Sequence, residues 1–328
     1  IALLFAAMPA FAQSVIATAA GVVVAGEGTA ELFRGGRSVW RSEGVIAPAK
    51  IVADDDRLAL LDPLHDELRL IDLRSGKGRS FRTGATPIDG VFAEGDFYVM
   101  ARDARTLERF GRDGARASLR LDADPAFLRV ANGRIYLYSR LAGTLSEITP
   151  QTLAVRRTTP VAPFASAMES DSRSAYLVYP RRSRVAIVSL SGMSPTGEME
   201  VGAVPVSLAF ASGSSALSAR TLAVADPASK KVWLVEGAQS TTEAFTRGLL
   251  RGLIGLGLYA NRTSQFPTGV DRVWTRGSRW IAYDSASRTL YRFTKGGSSI
   301  LASGVGPSAF AITGDGVVVW TGRRLRIF

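Results

Sequence analysis

The chain has 328 residues, 46% hydrophobic and 21% charged, which is enough apolar material for a sizeable core. It carries no Cys and one His, which excludes disulfides, thiolate zinc sites, a cysteine nucleophile and His-rich metal centres. The formal charge of +11 is spread along the chain without a basic block, which argues for a solvated surface and against a nucleic-acid partner.

Residues 1–12 form an apolar run ending in Ala10-Phe11-Ala12, the small-residue triplet of a secretory signal. The run is too short to span a bilayer. Cleavage is expected after Ala12, leaving Gln13 first and the mature chain periplasmic or secreted.

From there an internal repeat organises the sequence. Its markers are Pro48, Pro87, Pro125, Pro163, Pro205, Pro267 and Pro307. Most neighbours are about forty residues apart, the length of a four-stranded blade. A short apolar strand follows each proline, as at 49–53, 88–93, 126–131, 206–211 and 309–313. A tight polar turn comes next, such as Asp54-Asp55-Asp56, Glu94-Gly95-Asp96, Asn132-Gly133 or Ser170-Asp171-Ser172. Asn, Asp and Gly tolerate the left-handed conformations that hairpins need. A second strand is expected at 57–61, 97–101, 134–139, 175–179, 280–284 and 317–321. It often closes on Asp or Ser, as at Asp62, Asp103, Ser139, Asp226 and Asp284, whose side chains can cap the next turn. Third strands start at Leu68, Leu145, Val232 and Leu290; a more polar fourth ends the unit, as at 78–83, 115–121 and 154–159.

The segment 15–47 fits the same template without a leading proline. Its Gly21-Val-Val-Val-Ala25 and Ala30-Glu-Leu-Phe33 match Gly316-Val-Val-Val-Trp320 and Arg324-Leu-Arg-Ile-Phe328. A meander of four strands cannot bury both faces alone, but radial copies bury each sheet between neighbours. The sequence therefore predicts an all-β chain: a β-propeller of eight four-stranded antiparallel blades, in one domain over 13–328. Seven blades stay open if an N-terminal strand completes the last unit, which shows only three strands. The strand–turn–strand–Asp–strand pattern resembles exported bacterial propellers with YVTN-like or NHL-like repeats. That resemblance covers nearly all of the mature chain and implies architecture. Such propellers include binding scaffolds, lyases, lactone hydrolases and dehydrogenase subunits, so it implies no single activity.

One stretch, 237–266, breaks the repeat. Ser240-Thr-Thr-Glu243 is a capping box, and 244–259 reads as a helix. Glu243, Arg247 and Arg251 make a charged stripe, with Phe245, Leu250 and Ile254 among the apolar positions. This helix is expected to pack on the propeller, or to dock a partner or an anionic membrane surface through Phe245, Arg247, Leu250, Arg251 and Ile254.

Chemical motifs are scarce. His65 lies in the turn after Asp62 with no nucleophile elbow nearby, so no catalytic residue is assigned. The Asp54 run aligns with hairpin turns, so no metal is assigned; no phosphate loop or dinucleotide fingerprint calls for a cofactor. Trp40, Trp233, Trp274, Trp280 and Trp320 occupy strand positions and are expected to pack between blades. The sequence thus points to a non-enzymatic exported scaffold for a protein or small ligand. The alternative is a hydrolase or lyase acting on a saccharide or lactone through carboxylates and arginines at a central channel. Either site would be built from Asp89, Asp122, Asp124, Arg129, Glu169, Asp271 and Arg272, which stand near the starts of the first strands.

Overall fold

The computed structural model describes residues 14–26, 28–45, 48–112, 114, 116–121, 124–211, 221–236, 261–276, 279–294, 297–313, 316–321 and 324–328. Asp122 and the expected docking residues Phe245, Arg247, Leu250, Arg251 and Ile254 lie outside this set, as do the signal segment and residues 237–260.

The fold is an eight-bladed β-propeller, with each sheet a sequential antiparallel meander. Blade 1 holds β1 (Ser14–Thr18), β2 (Gly21–Gly26), β3 (Gly28–Arg34) and β4 (Arg37–Val45). Blade 2 holds β5 (Lys50–Ala53), β6 (Arg57–Asp62), β7 (Glu67–Asp72) and β8 (Gly78–Arg82). Blade 3 holds β9 (Pro87–Ala93), β10 (Asp96–Ala101), β11 (Thr106–Phe110) and β12 (Arg116–Arg120). Blade 4 holds β13 (Pro125–Ala131), β14 (Arg134–Ser139), β15 (Thr144–Thr149) and β16 (Ala154–Pro160). Blade 5 holds β17 (Ala167–Ser170), β18 (Ser174–Tyr179), β19 (Arg184–Ser189) and β20 (Ser194–Glu200). Blade 6 holds β21 (Ser207–Ala211), β22 (Thr221–Asp226), β23 (Lys231–Glu236) and β24 (Asn261–Gln265). Blade 7 holds β25 (Arg272–Arg276), β26 (Arg279–Asp284), β27 (Thr289–Thr294) and β28 (Gly297–Ala302). Blade 8 has three strands among the described residues: β29 (Phe310–Ile312), β30 (Val317–Trp320) and β31 (Leu325–Ile327). The segment 15–47 thus supplies a full blade of its own, and the last residues of the expected insertion are a fourth strand.

Two compact units divide the chain. The first comprises Ile1–Leu128 and Val305–Phe328, and in it β1 lies beside both β29 and β5, and β5 beside β9. The amide of Val15 donates to Ser308 O at 2.7 Å along that row. The second is Arg129–Gly304, where β17 lies beside β21 and β21 beside β25.

Burial follows the position of a strand within its blade. In β6, β10, β14, β18 and β22 every residue after the first is buried. A strand covered on both faces reads as a near-continuous apolar run, as Ala175-Tyr-Leu-Val-Tyr179 does. The fourth strands β16 and β20 are exposed at all but one position. Between the sheets sit apolar layers such as Leu58, Leu60, Val23 and Leu32, or Tyr176, Val178, Leu222 and Val224. Each large buried side chain contributes about 1.5–3 kcal/mol.

The turns obey their chemistry. Glu94 and Gly95 have φ of 49° and 83°, and Asn132 and Gly133 of 50° and 67°. Two successive positive φ values are what a two-residue hairpin with the right-handed strand twist requires.

Candidate functional site

The first strands carry most of the charged residues singled out from sequence. Asp89 on β9 is buried and engaged on three sides. It accepts from Lys50 Nζ of β5 at 3.2 Å, from the Leu128 amide of β13 at 3.1 Å and from the Gly90 amide at 3.0 Å. One carboxylate therefore ties three successive first strands together. Arg129 and Glu169 stand at corresponding places on β13 and β17, and Arg129 Nη2 meets Glu169 Oε1 at 2.8 Å. Asp271 accepts from the Ser285 amide at 3.1 Å, and its own amide donates to Tyr283 O at 2.9 Å. Arg272 is exposed opposite Tyr283, and Asp124 is half-buried just before β13. The candidates thus form pairs between neighbouring blades and a turn clamp. Lys50, the partner of Asp89, was missed from sequence.

The Asp residues that close second strands cap the following turn. Asp62 Oδ1 accepts the amides of Leu64 and His65, while its other oxygen meets His65 Nδ1 at 2.7 Å. Asp284 accepts from the Ala286 amide and Ser287 Oγ. Asp226 accepts from Ser229 Oγ and from the amides of Ser229, Ala203 and Val204. Burial would raise the carboxyl pKa of Asp226 and Asp284, but these hydrogen bonds outweigh it and hold both below the usual 3.8. Asp54 accepts from the amides of Asp56 and Arg57 and pairs with the Arg57 guanidinium, so its oxygens serve the hairpin.

A second buried carboxylate links blades 4 and 5. Glu147 on β15 is paired with the Arg157 guanidinium, with Arg134 and Arg156 at 3.8 and 3.7 Å. Arg157 Nη1 also donates to Ser191 O in blade 5 at 2.7 Å.

One end of blades 4 and 5 is different. Four connections meet there: 140–143, 160–166, 180–183 and 201–206. Hydrogen bonds tie them together, from the Phe164 amide to Arg140 O at 3.2 Å, the Val161 amide to Gly143 O at 2.8 Å and Ser183 Oγ to Ala203 O at 2.7 Å. Leu141, Phe164 and Val204 are 62%, 51% and 40% exposed, although each is a large hydrophobe. Arg181 and Arg182 are exposed beside them, and the Arg181 guanidinium lies 5.9 Å from the Phe164 ring centre. None of the four connections contains Asp or Glu. That composition was legible in the sequence; what brings the four together was not.

No protein-family model matches the chain, and no curated protein does. Solved structures do. Virginiamycin B lyase from Staphylococcus aureus superposes with a TM-score of 0.60 at 12% identity, covering 84% of this chain and 90% of that one. A streptogramin B lyase gives 0.60 at 12% identity over 96% of both chains. The dihydro-heme d1 dehydrogenase NirN gives 0.70 at 10% identity, over 94% of this chain and 68% of that one. At such identities the likeness is one of fold, and its bearers differ in chemistry.

Proposed function

We propose that this chain is an exported, non-enzymatic β-propeller that serves as a binding scaffold for a protein or ligand. The observation that carries the reading is the acid-free end of blades 4 and 5, where Leu141, Phe164 and Val204 stay exposed beside Arg181 and Arg182. Exposed large hydrophobes grouped on one surface mark interaction sites. The charged groups of the first strands support the same reading from the other side. Asp89 is held by Lys50 and the Leu128 amide, and Glu169 by Arg129, so these carboxylates already work as ties between blades. The signal-like run ending at Ala12 supports a periplasmic or secreted location.

The test is the association state of the protein in the extracytoplasmic fraction of the producing cell. The parent should sediment as part of a larger assembly or a particulate fraction. A form with Leu141→Asp, Phe164→Asp and Val204→Asp should be released as the free chain with its circular dichroism intact. Absence from that fraction, a parent that behaves as the free chain, or a substituted form that stays associated would each overturn the reading.

A further inference from the structure

The scaffold reading leaves open what the acid-free end of blades 4 and 5 meets. We infer that it docks on the headgroups of an anionic phospholipid bilayer; this rests on that reading and names its partner.

Three features support it. First, the apolar tips arise from separate connections: Leu141 from the β14–β15 turn, Phe164 from the β16–β17 connection and Val204 from the β20–β21 connection. A protein partner would need a pocket matched to each tip. A fluid interface accepts isolated protrusions without matched shape, at a depth of about 5–10 Å. Second, the four connections carry basic side chains and no acid of their own. Arg181 stands over Phe164, Arg182 next to it is exposed over the Tyr179 ring, and the connections at 140–143, 160–166, 180–183 and 201–206 hold no acid to repel phosphate. Of the acids next to them, Asp226 is buried and occupied by the Ala203 and Val204 amides, and Glu200, at the end of β20 just before 201–206, is exposed and paired with Arg184 at 3.5 Å. Third, the aromatic tip is held out rather than folded back. Phe164 has φ of 65°, an uncommon conformation for an aromatic residue, and its amide is fixed to Arg140 O. Arg181 over the Phe164 ring lets an aromatic enter the acyl boundary while the guanidinium reaches phosphate. No helix among the described residues is long and apolar enough to cross a membrane.

The experiment is co-sedimentation of the purified full chain with vesicles. One set is phosphatidylcholine with roughly one-third phosphatidylglycerol, the other phosphatidylcholine alone. The chain should bind the anionic vesicles and leave the neutral ones. Arg181→Gln with Arg182→Gln should lower affinity about thirty-fold, at about fivefold per basic residue near an anionic surface. Leu141→Asp should weaken binding with the thermal midpoint unchanged, and raising salt from about 0.1 M to about 0.5 M should release the parent. Equal binding to neutral vesicles, or indifference to both sets of substitutions, would overturn the lipid assignment. So would a parent that ignores all vesicles; if it still sediments as an assembly in the cell fraction, its partner is a protein and the scaffold reading survives alone.

Discussion

Replacing Asp226 by Ala probes how a single carboxylate holds a blade junction. Asp226 is fully buried at the end of β22. It accepts from Ala203 N at 2.7 Å, Val204 N at 3.2 Å and Ser229 N at 3.3 Å, and from Ser229 Oγ. Hydrogen bonds to a charged group contribute about 1.5–3 kcal/mol each when lost singly. The four are not independent, and the exposed Ala203 and Val204 can take water in exchange. The net cost should be about 3 kcal/mol, the equivalent of two such bonds. An unfolding entropy of about 2.1 cal/mol/K per residue turns that into a fall of about 4 °C in Tm for a chain of this length.

The pH dependence separates this account from a mere packing defect. The Asp226 pKa is lower folded than the usual 3.8, so its stabilisation is fully present above about pH 4. It is lost as the pH falls through the folded value, where the carboxyl takes a proton. Urea unfolding of parent and Asp226→Ala should therefore differ at pH 7 and converge well below pH 4, while a packing defect would persist. Hydrogen exchange of the Ala203 and Val204 amides should quicken in the variant. A difference under about 1 kcal/mol at pH 7, or one unchanged by acid, would refute the reasoning.

Two further substitutions test joints between neighbouring blades. Gly202→Ala should be more damaging than Asp226→Ala by urea unfolding: Gly202 has φ of 58°, and an added Cβ would strike Asp226 Oδ2 and come within 2.6 Å of Trp233 Nε1. Arg157→Lys keeps the charge but not the fork that serves both Glu147 and the carbonyls of Ser191 and Leu190, so it should lower stability by about 1–2 kcal/mol; a neutral outcome in thermal unfolding would show that blades 4 and 5 do not depend on that bridge.

The strands were legible because each blade repeats the same burial problem. Second strands expected at 97–101 and 175–179 run Asp96–Ala101 and Ser174–Tyr179, one residue longer at the start. The turn dipeptides Glu94-Gly95 and Asn132-Gly133 were visible because φ above zero restricts residue choice. Asp226 and Asp284 were visible as caps because each stands at a strand end, six residues before an apolar third-strand residue, Val232 and Leu290. Trp40 was expected between blades, and its Nε1 donates to Leu73 O at 2.8 Å across blades 1 and 2. Lys50 and the Glu147 cluster were not visible, because hydrophobic periodicity says which residues face a neighbouring blade but not which charges meet there. One signal could have found the former. Ties between adjacent blades recur at one repeat length: 39 residues from Asp89 to Leu128, 40 from Arg129 to Glu169 and 40 from Asn132 to Ser172. Searching for opposite charges at that separation would have paired Lys50 with Asp89.

That same regularity bears on the basic balance of the chain. Short turns leave backbone amides that no strand can satisfy, and the buried or half-buried carboxylates serve them. Asp62, Asp226 and Asp284 each accept at least one such amide, and Glu108 accepts the Gly84 amide through both oxygens. These acids sit at strand ends and interiors, while an Arg can lay its stem on the surface and keep its head in water. The formal +11 averages over this segregation and understates what a partner meets locally. Beyond a Debye length of about 8 Å at physiological salt, distant charges are screened. On the proposal above, what a partner would feel at blades 4 and 5 is set by Arg181, Arg182 and the Arg184–Glu200 pair beside them, rather than by the total. A variant that removes charge elsewhere on the chain, leaving that end intact, should change its binding little.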